Sequence, residues 1–283
     1  MTVPSLGGLV DLHLHTTASD GRCSPRELVD RVAAAGVAVM GVTDHDTLAA
    51  VREVQALAAP RGIEVVPGIE ITAIEDGRDV HVLGYFLDVD DPGLDAFLRG
   101  QRAARVSRVR AIGARLAELG MPVDIEPLVA HAEQHGGESI GRPRVARLMI
   151  EAGYVADSRE AFDRWLAFGQ PAFMPRTGPS PEEVIGVIHR AGGLASLAHP
   201  GLTKIDARID ALQRAGLDAL EVFHSEHDGN AVERYGRMAR ELSLLVTGGS
   251  DFHGDPAHGP EPGAAVLPGE EWARLRAAAG HGR

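Results

Sequence analysis

A single cysteine, Cys23, stands in 283 residues. That excludes an internal disulfide and fits a reducing, cytoplasmic setting. No apolar stretch approaches the ~18 uninterrupted residues of a membrane helix, and the opening MTVPSLGGLV lacks the basic start of a signal peptide. Positive charge is also short, with 28 Lys and Arg against 40 Asp and Glu for a net charge of -12. An acidic field repels phosphate backbones, so a long duplex nucleic acid is not an expected partner. Neither a glycine-rich nucleotide loop nor a serine nucleophile elbow occurs, and no repeat, heptad or low-complexity tract is visible.

What is present is unevenly distributed. Residues 95–176 hold twelve Arg against ten Asp or Glu, a local balance of +2, which leaves the remainder at -14. The acidic part suits cations, and the neutral-to-basic part can face an anion. Hydrophobic content of 44% and charged content of 24% are ordinary for a globular chain, and the length admits one α/β barrel with an insertion.

Thirteen histidines are many for this length, and most fall where strands are expected to stop. Residues 9–20, LVDLHLHTTASD, read as a first strand whose period-2 geometry puts His13 and His15 on one face, with Asp20 returning from a loop. Two imidazoles on a half-buried sheet are ordinary by themselves, so the pattern needs support from the rest of the chain. VAVMGVTDHDT, 37–47, is a buried strand ending in Asp44, His45 and Asp46, with a helix expected over 47–59. In 63–72, IEVVPGIEIT, Glu70 stands between isoleucines, where burial is costly unless the acid is paired or holds a metal. A fourth strand, 79–88, carries His81. Later strands over 192–201, 218–224 and 244–254 end in His199, in His224 and in Asp251 with His253. Capping boxes at Ser24–Glu27 and Ser180–Glu183 open helices between strands, and one short helix is expected near 271–279. Strand and helix alternating at this spacing predict parallel βα units, in which the C-terminal strand ends gather the chemistry.

From Pro92 the pattern turns helical. Arg99, Arg102, Arg105 and Arg108 stand three apart and read as a solvated helix face. Shorter helical pieces follow near 125–135, 142–152 and 158–167, so 92–175 is expected to be an all-helical insertion and 1–91 with 176–283 the barrel. Within it Gly141-Arg142-Pro143 opens a helix that starts with Arg142 and Arg144, an anion site by position and charge. Arg176 follows in a Pro- and Gly-rich loop.

Nine residues thus stand at or near strand ends: His13, His15, Asp20, His45, Glu70, His81, His199, Asp251 and His253. Core packing would scatter histidines over helices, as with His131, His135 and His189, which read as structural or surface residues. Mixed imidazole and carboxylate donors suit Mn²⁺, Zn²⁺ or Fe²⁺, and the lack of Cys ligands speaks against a purely structural zinc. Nine donors exceed one ion, so two or three divalent metals are expected, with Mn²⁺ first among them and Glu70 or Asp251 bridging.

HLHTTASDG, TDHDT, PGIEIT, the His81 strand, LAHPG and GGSDFHG together resemble the polymerase and histidinol phosphatase (PHP) family of metal-dependent phosphoesterases. The insertion with its Gly-Arg-Pro turn resembles the branch of 3′,5′-bisphosphate nucleotidases and 5′-to-3′ exoribonucleases, although members there often carry His where this chain has Arg144. The resemblance implies a distorted (β/α)7 barrel with up to three metals. It places His13, His15, Glu70 and Asp251 around one ion, Glu70, His81 and His199 around a second, and Asp20, His45 and His253 around a third. It implies hydrolysis of nucleotide bisphosphates or short oligoribonucleotides by a metal-bridged hydroxide. Arg142, Arg144 and Arg176 are then the candidates for gripping substrate phosphate. His224 is a candidate proton donor or phosphate contact, and Asp44 a candidate catalytic group or, by preference, an orienter of ligand imidazoles. Two other readings stand beside this one: a phosphatase on another small phosphomonoester, such as histidinol phosphate or a sugar phosphate, and a non-catalytic metal-binding scaffold. Oligomeric state is not legible.

Overall fold

The computed structural model describes residues 8–134, 137–255 and 259–280; His135 lies outside them. Seven strands form one sheet in chain order. β1 (Leu9–Asp11), β2 (Val37–Val42) and β3 (Glu64–Glu75) are parallel neighbours. β4 (Arg78–Tyr85) runs antiparallel to β3 and to β5 (Leu194–Leu197), after which β5, β6 (Ala219–His224) and β7 (Leu245–Gly249) are parallel again. The two ends of the sheet approach each other: Leu12 N donates to Gly248 O at 3.1 Å and His15 N to Phe252 O at 2.9 Å. The result is a distorted, nearly closed seven-stranded barrel, as the family resemblance implies.

The expectation of uniformly parallel βα units fails at one place. β3 and β4 form a hairpin closed by Asp76 and Gly77, both at positive φ (49° and 75°), the conformation that an Asp-Gly pair adopts most readily in a two-residue turn. β3 is therefore longer than expected, and Glu70 lies inside it, not at its end. Because β4 runs the other way, His81 reaches the same barrel mouth from the first half of its strand, opposite Thr72. β1 is shorter than residues 9–20, and His13 and His15 sit on its irregular continuation, where they still alternate with buried Leu12 and Leu14.

Helices α1 (Pro25–Ala34) and α2 (Val51–Ala58) flank the first strands, and Ser24 and Glu27 form the expected capping box. α3 (Pro92–Glu118) is shared by two cores. Its Leu94 and Leu98 pack with Val184 and Ile188 against the barrel, whereas Val109, Ile112 and Leu116 pack with Val145, Met149 and Leu166. That second core belongs to α4 (Glu126–Gln134), α5 (Arg142–Glu151), α6 (Ser158–Ala161) and the π-turn Phe162–Leu166. Strand and helix then alternate through α7 (Pro181–Arg190), which has the second capping box, then α8 (Pro200–Thr203), α9 (Asp206–Arg214), α10 (Gly229–Glu241) and α11 (Gly269–Ala279). Among the described residues no helix is long and apolar enough to cross a membrane.

Closure of the barrel depends on bare backbone. A Cβ on Gly249 would lie 2.3 Å from His13 N, so only glycine lets β7 approach the segment that carries the two histidines. Overpacking of this kind typically costs about 1–3 kcal/mol. Gly249→Ala is expected to lower the unfolding free energy by that amount and to weaken metal uptake in the same protein, measured by denaturant titration and metal analysis. Retention of both would remove Gly249 from this role.

Candidate metal centre

The organising group is the Glu70 carboxylate, 1% exposed on β3. Its Oε2 lies 3.3 Å from His13 Nε2, 3.2 Å from His15 Nε2 and 3.1 Å from His45 Nδ1. Its Oε1 lies 2.7 Å from His81 Nδ1 and 3.0 Å from His199 Nε2. Five imidazoles from four parts of the barrel thus converge on one carboxylate. Asp251 Oδ1 faces His13 Nε2 and His15 Nε2, each at 3.2 Å, from the other side. Asp20 completes the group, at 3.2 Å from His253 Nε2 and 3.5 Å from His45 Nε2. The structure brings all nine sequence-predicted donors to one mouth.

Four overlapping sets among the described residues have donor atoms close enough to hold an ion: His13, His15, Glu70 and Asp251; His15, Asp20, His45 and His253; His45, Glu70 and His81; and His13, Glu221 and His224. The chemistry of these donors fits divalent metals. His15 Nε2, His45 Nδ1, His81 Nδ1 and Asp251 Oδ1 are buried without an aligned hydrogen-bond partner among the described residues, a costly state that a cation would relieve. Backbone strain gathers here as well, since His199 and Asp251 adopt φ of 26° and 55°.

Supporting contacts decide which ring nitrogen is free. A carboxylate only accepts, so His13 Nδ1 donates to Glu221 Oε1 at 2.9 Å and leaves Nε2 unprotonated for a ligand. Glu221 also accepts from His199 N at 2.7 Å. Sequence reasoning missed Glu221, although a lone acid between Leu220 and Val222 is the same signal that exposed Glu70. His253 Nδ1 donates to Asp251 O at 2.9 Å, which again leaves Nε2 free. At His224, Nδ1 accepts from Glu226 N at 3.1 Å, so the neutral ring carries its proton on Nε2, 3.4 Å from Asp251 Oδ2.

Next to the centre lies a cavity of about 230 Å³. Asp20, His45, His81 and His253 form its metal side, Arg105, Arg108 and Arg142 its cationic side, and Ile140, Pro143 and Phe162 part of its apolar wall. The arginines depart from two of the sequence-based expectations. Arg105 and Arg108 are not on a solvated face: Arg105 Nε donates to Asp46 Oδ2 at 2.5 Å, and Arg108 Nη1 to Asp79 Oδ2 at 2.8 Å. Arg142 donates to the same Asp79 oxygen at 2.9 Å. These two guanidiniums hold Asp79 below the usual carboxylate range in spite of its burial, while burial lowers Arg142 to about 10. Arg144 does not face the cavity. Its Nε and Nη2 donate to the carbonyls of Thr17 and Ser19 at 2.7–3.0 Å, so it clamps the loop that bears Asp20. Arg176 is buried behind the cavity wall, 3.6 Å from Asp46, with Nε and Nη2 unpartnered among the described residues.

Asp44, expected as a catalytic group or an orienter of ligand imidazoles, is engaged by donors of the neighbouring loop. Its oxygens accept from Thr16 N at 2.8 Å, Thr16 Oγ at 2.7 Å and Ser19 Oγ at 2.6 Å, so it folds the 16–20 loop and touches no ligand ring. His189 pairs with Asp218 and His131 with Glu138, both away from the centre.

A domain model described as the PHP domain matches residues 11–123. The chain is 33% identical over 259 residues to the 3′,5′-nucleoside bisphosphate phosphatase of Chromobacterium violaceum, covering 90% of each. It is 36% identical over 248 residues to a 5′-3′ exoribonuclease of Haemophilus influenzae, covering 86% of this chain and 89% of that one. A crystal structure from Bifidobacterium adolescentis, described as a metal-dependent phosphoesterase, superposes with a TM-score of 0.86 at 30% identity over 94% of this chain and 95% of that one. The barrel with its imidazole and carboxylate mouth is that of a metal-dependent phosphoric ester hydrolase. The overlap with full-length relatives at this identity leaves one family: the chain belongs to the PHP phosphoesterases.

Two outcomes follow from this geometry. Removing the Glu221 carboxylate frees His13 to adopt the wrong tautomer, so Glu221→Gln is expected to weaken metal affinity 10–100-fold, measured by competition with a chelating dye; unchanged affinity would refute the orienting role. The second concerns pH. Burial opposes charge on His15, but the Asp251 and Glu70 carboxylates, each 3.2 Å from its Nε2, outweigh that and raise its pKa from 6.5 to about 10 in metal-free protein. A raised folded-state pKa on a base stabilises fully below pH 6.5, and that contribution is lost as pH rises through about 10. Chelated protein should therefore lose thermal stability from pH 6.5 to 10. Because metal binds the neutral ring, added Mn²⁺ should raise the melting temperature more at pH 9 than at pH 6.5.

Proposed function

We propose that the protein hydrolyses phosphate esters of nucleotides, namely 3′,5′-bisphosphate nucleotides and short oligoribonucleotides. The observation that carries this reading is the placement of one cavity between the metal-binding donors and a cationic, apolar wall. A phosphoryl group can face the donors while Arg105, Arg108 and Arg142 meet anionic oxygens and Phe162 meets a base. The relatives named for nucleotide phosphate chemistry agree with it. An all-helical segment over 92–175 supplies that wall and acts as the lid and substrate domain on a barrel of 1–91 and 176–283.

His13, His15, Glu70 and Asp251 would hold one ion, Glu70, His81 and His199 a second, and Asp20, His45 and His253 a third. The absence of thiolate among these donors favours Mn²⁺, with Zn²⁺ or Fe²⁺ as alternatives. Bound there, such ions supply Lewis acidity and a water acidic enough to act as nucleophile near neutral pH. The chain's own residues do the rest. The three arginines are held in place by Asp46 and Asp79, and their positive charge, with the spare Nη2 donor of Arg108, orients the substrate and neutralises charge gathering on phosphoryl oxygens. His224, buried with its Nε2 3.4 Å from Asp251 Oδ2, would be the residue that passes a proton to a departing alkoxide. Val109, Ile112 and Ile140 line the cavity and limit water on its far side. Buried, unpaired Cys23 is compatible with a cytoplasmic enzyme.

Purified protein supplied with Mn²⁺ is expected to release phosphate from adenosine 3′,5′-bisphosphate, and Asp251→Ala to reduce kcat by at least 100-fold. A phosphate-release panel that also contains histidinol phosphate and a sugar phosphate checks the assignment. A higher kcat/KM on either of these than on every nucleotide would overturn it.

A further inference from the structure

Leu9, Phe168 and Leu202 are the large apolar side chains that stand exposed among the described residues, and Phe168 is the most exposed at 53%. It is also the one that connects to the cavity. Its ring meets Phe173 edge-on at 5.3 Å, and the guanidinium of Arg78 lies 4.9 Å from its centroid. Phe173 in turn packs against Arg108 at 5.3 Å and Arg142 at 5.8 Å, both of which line the cavity. Two guanidiniums, two rings and a third guanidinium are therefore in contact in a continuous strip from beside the metal donors to solvent. Arg108, only 8% exposed, keeps Nη2 without a partner among the described residues, so the strip holds an unused donor for an anionic oxygen.

We propose that Phe168, backed by Phe173 and Arg78, is a stacking site for the second base of a single-stranded oligoribonucleotide whose terminal nucleotide occupies the cavity. The inference rests on the nucleotide reading above and deepens it by naming where the second base of a strand is held. Interleaved rings and cations are what a single strand requires, since each base needs a π-face and each phosphate a positive neighbour. A protein partner would gain nothing from continuity with the cavity, whereas a nucleic-acid strand that enters the cavity must leave along some such path. Every base has a π-face, so the site is tolerant of sequence, and the chain's overall negative charge restricts it to short strands.

The test compares kcat/KM for a 5′-phosphorylated pentaribonucleotide with that for adenosine 3′,5′-bisphosphate in the same preparation. Their ratio cancels any loss of folded enzyme. Phe168→Ala is expected to lower the ratio about ten-fold, and Phe168→Trp to restore it, because loss of one base–aromatic stack is worth roughly this much. An unchanged ratio in Phe168→Ala overturns the inference and leaves the nucleotide reading standing; turnover of the mononucleotide with none of the pentanucleotide by unsubstituted enzyme overturns the inference and confines the nucleotide reading to 3′,5′-bisphosphate nucleotides. Turnover of neither substrate overturns the nucleotide reading and this inference with it.

Discussion

A buried carboxylate surrounded by five imidazoles sets the terms for this molecule. Glu70 cannot lie ionised inside a barrel without compensation, and burying charge alone would be prohibitive. Its own pKa is held well below the ordinary range, since coulombic attraction from His45, His81 and His13 overrides burial. The same field raises His13 and lowers Asp251. The cluster is therefore polarised and electrostatically interlocked. In this setting each ring has a reason to point inward, and the barrel mouth cannot relax into an apolar core. Glu221 and Asp44 extend the restraint outward, one fixing a tautomer and the other the loop that delivers Asp20.

The barrel provides this concentration of donors through an irregularity. In a sheet of uniformly parallel strands, neighbouring donors would come from successive strand ends. Here β4 is reversed, so His81 and Glu70 come from adjacent strands of one hairpin at the level of the Thr72–His81 pair. Local strain at His199 and Asp251 serves the same end, turning the chain sharply at the points where donors must project. Unpaired buried nitrogens and positive φ in one small volume are the marks of a site organised for a ligand at some cost to stability.

The donors themselves were legible in the sequence because period-2 alternation and a lone acid in an apolar strand are short-range signals. Glu70 between two isoleucines could be read from five residues. Glu221 carried the same signal and went unread, since no histidine motif drew attention to it. The reversal of β4 was harder to see: the Asp76-Gly77 turn is visible, but the flanking runs also fit a parallel strand that follows a loop. The arginines were the least legible. Arg99 and Arg105 look alike on a helical repeat, and only the long-range docking of α3 on the barrel decides that Arg99 pairs with Asp95 at the surface while Arg105 meets Asp46 inside. Arg144 was misjudged for a related reason. Its place at a helix start suggested an anion, but tertiary contact offered it two backbone carbonyls instead.

Asp79 ties the two halves of the charge distribution together. The barrel is rich in acid and the helical segment is not, so an interface between them would tend to bind cations on one side and repel them on the other. By accepting from both Arg108 and Arg142 through one oxygen, Asp79 holds two guanidiniums next to an intended cation cluster without leaving either charge unopposed. Its second oxygen and Arg108 Nη2 remain without partners among the described residues. An anion arriving between the metal donors and these arginines can take up the spare donor and keep Asp79 in place, so selectivity for phosphate follows from geometry that is already set before the substrate arrives. A neutral ester would leave the guanidiniums facing only one carboxylate, and the cavity would gain little from binding it.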